Sequence, residues 1–116
     1  MPVADNAVTL SSFEGLGGEA MAMGEKSPVA VKNAEASVRM ALSESILNIL
    51  SSGVNKLSDV KISANWMANP NKNESNRDLF NSVKSLSEDI CQIWKITIPV
   101  GKDSMSMETR WNNEKD

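Results

Sequence analysis

A chain of 116 residues, 41% of them apolar, holds enough for the core of one domain and too little for two. Its 12 basic and 15 acidic residues give a net charge of -3 with no Lys/Arg cluster, so the electrostatic footprint of nucleic-acid binding is missing. No histidine is present, which excludes Ser/His and Cys/His nucleophile pairs, imidazole zinc sites and the commonest general base.

The pattern also lacks a long apolar run and a basic-then-apolar leader, so no membrane span is expected and the expected compartment is the cytoplasm. The single cysteine, Cys91, sits in a helical pattern and reads as a small core residue.

In chain order, Val3 to Leu10 alternates as a strand, with the acid Asp5 in its course. Ser11 to Gly18 breaks the alternation with three glycines, and Glu19 to Glu25 reads as a short helical turn ahead of Ser27-Pro28. Gly15-Leu16-Gly17-Gly18-Glu19-Ala20 fits a dinucleotide fingerprint in letters. The helix that should open at those glycines, and the second parallel strand, have no place in the pattern, so the match is discounted.

Asn33 to Ser52 is the strongest element. Val38, Leu42, Ile46, Ile49 and Leu50 repeat at steps of three and four and predict a buried helix face. Asn33 is placed to cap the helix, Glu35 falls in its first turn, and Gly53 follows its end. A second stripe, Ser37, Ala41, Glu44, Asn48 and Ser51, puts Glu44 and Asn48 one turn apart, two oxygen-bearing side chains that can share a ligand.

Val60, Ile62, Ala64 and Trp66 alternate as a half-buried strand that ends in the turn Asn69 to Asn73. Ser75-Asn76-Arg77-Asp78 resembles a capping box opening a helix with the stripe Leu79, Val83, Leu86, Ile90 and Ile93. Ile96, Ile98 and Val100 form a short strand that Gly101 to Ser104 interrupts. Met105, Met107, Thr109 and Trp111 alternate again as half of a possible hairpin, and residues 112–116 form a polar tail. The expected class is α+β, two helices on one face of a small mixed sheet, with the other sheet face left bare and methionine-rich as an association surface.

Four separated motifs carry a resemblance. Val3-Ala4-Asp5, the run Gly18 to Glu25, Ser63-Ala64-Asn65-Trp66-Met67, and the run Ile98 to Met107 come in an order and spacing similar to phosphoribosylformylglycinamidine synthase, in its large single-chain form. That family is the glutamine-dependent amidating ligase of purine biosynthesis, and the resemblance runs from about Pro2 to Trp111.

The resemblance implies that residues 1–116 are a single partial domain, the N-terminal half of the second aminoimidazole ribonucleotide synthetase-like repeat. It implies no catalytic residue in this piece, whose repeat instead holds an auxiliary ADP with Mg2+. The family's metal ligands, an acid in Val-Ala-Asp and the acid and amide of Glu-x-x-x-Asn, fall on Asp5, Glu44 and Asn48. Ser43, Ser45, Ile46 and Leu47 depart from the family's Gly or Ala, Ala, Leu and Thr, and a further ligand from the second half of the repeat has no counterpart.

The implied cofactors are Mg2+ and ATP/ADP, and the implied partners are the rest of the synthase or a second copy of the chain. On this reading the oxygens of Asp5, Glu44 and Asn48 gather within about 6 Å of one another. On the alternative, Glu44 faces solvent, Asn48 satisfies a backbone group and Asp5 caps the glycine loop, in a stand-alone nucleotide-binding or self-associating module.

Overall fold

The computed structural model describes residues 4–104, 108, 109, 111 and 112. The chain runs β1 (Asn6–Leu10), β2 (Gly18–Ala22), α1 (Ser27–Ala30), α2 (Ala34–Leu50), a 3-10 turn (Leu57–Asp59) and β3 (Lys61–Trp66). It continues with α3 (Asn73–Lys84), a π-helical stretch (Ser85–Cys91), a last turn α4 (Gln92–Trp94) and β4 (Thr97–Asp103). The expected α+β class is what is seen. The strands fall into two ladders, β1 antiparallel to β2 and β3 parallel to β4, the latter joined through the α3 crossover that parallel pairing requires.

The stretch expected as a helical turn over Glu19 to Glu25 is instead largely strand β2, paired from Leu10↔Gly18 to Asn6↔Ala22. Backbone proximity decides this: a Cβ at Gly18 would lie 2.3 Å from the Thr9 carbonyl oxygen, so only glycine lets the strands close there. The loop between them is shut by the Ser11 N–H donating to Gly17 O at 3.0 Å. The glycine-rich letters therefore turn a hairpin, not a strand into a helix.

Helix α2 forms as its ends direct. The Asn33 side chain accepts from the Ala36 N–H at 2.8 Å, and Gly53 takes a positive φ of 84° just past the end. Leu42 and Ile46 are buried and join Val60, Leu86 and Ile96 in the core, with Val38 and Ile49 half-buried against it. Leu50, expected on the same face, is exposed because it stands in the last turn, beyond the elements that cover the rest of the stripe.

The second helix begins at Asn73 with Lys72 as its N-cap residue, so the Ser75 capping box is not used. From Ser85 to Cys91 the helix widens to π geometry, which slows the rotation per residue and shifts the phase of everything after it. Ile93, buried by an uninterrupted 3.6-residue count, is 75% exposed, and Cys91 and Trp94 pack on the core instead. Lys95, at φ 54°, ends the helix and turns the chain into β4.

Strand β4 runs unbroken through Gly101 and Lys102 to Asp103, where a break was expected, because Ala64, Asn65 and Trp66 pair with those three residues in register. Thr109 and Trp111 carry no strand; the rest of the expected closing hairpin, and Val3, lie outside the described residues.

Of the methionines expected on the bare sheet face, Met105 and Met107 lie outside the described residues. The outward side of β3 presents Lys61, Ser63 and Asn65, all polar, while Ile62, Ala64 and Trp66 turn inward. Exposed apolar side chains group on the hairpin, at Val8, Leu10, Met21 and, at its tip, Phe13 and Leu16, and stand also at Val31, Met67, Ile93 and, on β4, Val100. A radius of gyration of 17.4 Å, against about 13 Å for a compact chain of this length, matches a body with such an uncovered arm.

Candidate functional site

The second stripe of α2 has a partner, and it is the segment that leaves β2. Ser37 Oγ donates to the Lys26 carbonyl at 2.7 Å, and Asn48 Nδ2 donates to the Met23 carbonyl at 2.9 Å. Glu44 lies between them: its Oε1 accepts from Lys26 Nζ at 2.8 Å and its Oε2 from the Glu25 N–H at 2.9 Å. At Ala41 the segment comes closest, where a Cβ on Gly24 would stand 2.1 Å from the Ala41 carbonyl oxygen and 2.5 Å from the Ser45 nitrogen. The stripe is a docking ladder of polar side chains around one small residue, and its chain partner fits only with glycine at position 24.

The Lys26 hydrogen bond, followed by that from the Glu25 N–H, holds the Glu44 carboxyl below the usual glutamate range; burial opposes them, and the Lys26 charge adds the least. Glu44 is thus an anion at neutral pH, and each of its oxygens keeps a lone pair after one hydrogen bond. Asn48 is oriented by the hydrogen bond its Nδ2 donates to the Met23 carbonyl, and its Oδ1 makes no hydrogen bond among the described residues.

Asp5 stands at a bend one residue ahead of β1, exposed and without a hydrogen bond among the described residues. The residue that meets the helix is its neighbour, Asn6, whose Nδ2 donates to the Asn48 carbonyl at 2.9 Å and also to Ser51 Oγ. Glu44 and Asn48 are therefore brought to one strip of surface, and Asp5 is tethered next to it through Asn6.

Around Glu44 and Asn48 a cleft of about 340 Å³ is lined by Lys26, Arg39, Met40, Ser43 and Leu47. Lys26 and Arg39 were not singled out by sequence reasoning. Lys26 lies 18 residues before Glu44, in a loop whose path no local pattern gives. Arg39 donates from Nη1 to Ser85 Oγ at 2.7 Å, and Ser85 in turn donates to Asp89, a link between α2 and the π-helical stretch. Two cations, an anion and an oriented amide with apolar flanks suit a ligand that combines phosphate with an apolar body. Among the described residues no three His, Cys, Asp or Glu side chains gather as a metal shell, so a cation here would rest on two carboxylates, the Asn48 oxygen and oxygens of its ligand.

A larger groove of about 380 Å³, walled by Trp66, Leu79, Val83, Leu86 and Ile98, opens at the ends of β3 and β4. Asp103 lies at its edge, one oxygen accepting from the Ala68 N–H at 3.1 Å and the other buried with no hydrogen-bond partner among the described residues. Apart from the Asp103 carboxylate and Lys102, its walls are apolar or small, with none of the converging charge of the α2 cleft.

Comparison with known families bears on the whole length at once: the family described as the FGAR-AT PurM_N-like domain matches residues 1–116. The chain belongs to that family. It is a piece of the PurM-like region of phosphoribosylformylglycinamidine synthase, as the four motifs suggested, and so is associated with purine biosynthesis and with a ligase-type enzyme family. No helix of this PurM_N-like domain, among the described residues, is long and apolar enough to cross a membrane.

Proposed function

We propose that this PurM_N-like domain serves the ATP- and glutamine-dependent conversion of formylglycinamide ribonucleotide to formylglycinamidine ribonucleotide, as a part that holds a nucleotide and Mg2+ without performing the chemistry. The family match over the full length carries this reading. The α2 cleft supports it: the unengaged Asn48 Oδ1 and the ionised Glu44 provide hard oxygen donors one turn apart, and Asp5 is a third on the tethered start of β1. Mg2+ bound there would neutralise phosphate charge, while Lys26 and Arg39 at the cleft attract the nucleotide and α2 holds the donors in place.

With no histidine in its sequence, the chain by itself neither amidates substrate nor hydrolyses ATP on this reading; its partners are the remaining parts of the synthase or a second copy. The test is replacement of the corresponding half-repeat of an active synthase by this chain, assayed by formylglycinamidine ribonucleotide formation. Activity above a deletion control, with no phosphate release from the chain alone, is expected. Phosphate release by the isolated chain that disappears in Glu44→Gln would overturn the assignment of an inactive holder.

A further inference from the structure

We draw no further inference here: the strongest candidate, the apolar groove between the end of β3, α3 and the end of β4, has an Asp103 oxygen at its edge that lacks a hydrogen-bond partner among the described residues and is sealed from the groove itself, and nothing in the structure shows what covers it.

Discussion

At Gly24 the main chain approaches α2 more closely than any side chain would allow, against backbone atoms that cannot rotate away. Gly24→Ala should therefore cost about 1–3 kcal/mol of unfolding free energy, in the range of overpacked sites. Urea denaturation measures this, and a loss under about 0.5 kcal/mol would mean that the segment docks by side chains alone. Glu44 adds a pH dependence of known sign. Its carboxyl is held below the ordinary value, chiefly by the Lys26 hydrogen bond. Its stabilising contribution is complete above the unfolded-state glutamate pKa of about 4.3 and is lost as pH falls through the lowered folded value. The side chain is about one-third exposed, so the effect is small. The stability difference between wild type and Glu44→Gln should be present at pH 7 and shrink as pH falls below about 4, seen in thermal melts. A difference that grows with acid would contradict the ion-pair account.

Among the elements, α2 was legible end to end because Asn33, the three-and-four spacing and Gly53 each act locally. Strand β2 was not. Gly18-Glu19-Ala20-Met21-Ala22 has no β-branched residue, and its conformation comes from pairing with β1 and the close contact at Thr9. The helix after Asn73 was half legible: of its stripe, Leu86 and Ile90 join the core, Val83 is exposed, and Ile93 fails where the π-helical stretch has moved the buried face to Cys91 and Trp94. Of the site, the Glu44-Asn48 pair followed from helical spacing, but the Met23 to Lys26 segment docked on it did not, since loop paths follow tertiary contacts. A two-stranded hairpin is at best marginally stable by itself, and β1–β2 rests on the body mainly through Asn6 and the segment after β2. Its amides in dilute protein should exchange with solvent at least about a hundredfold faster than those of Leu42 and Ile46. Equal protection in both, measured by hydrogen exchange, would show that the hairpin is part of the cooperative core.

For the molecule as a whole, the hairpin groups several of the apolar side chains that a single copy leaves uncovered. Sedimentation across micromolar concentrations should show a dimer or larger species, and Leu10→Glu on β1 should shift it toward monomer; a wild-type monomer throughout would count against assembly through this arm. The central claim is that Asp5, Glu44 and Asn48 share a cation beneath a nucleotide. It is tested most directly by titrating Mn2+, a paramagnetic stand-in for Mg2+, into isotope-labelled chain and following amide signals by NMR. The account predicts saturable broadening that appears first at Asp5, Glu44 and Asn48, with affinity lowered at least about tenfold in Asp5→Asn, a change at an exposed side chain that leaves the fold intact. Broadening spread evenly over surface carboxylates, or a Glu44-centred pattern indifferent to Asp5→Asn, would contradict it.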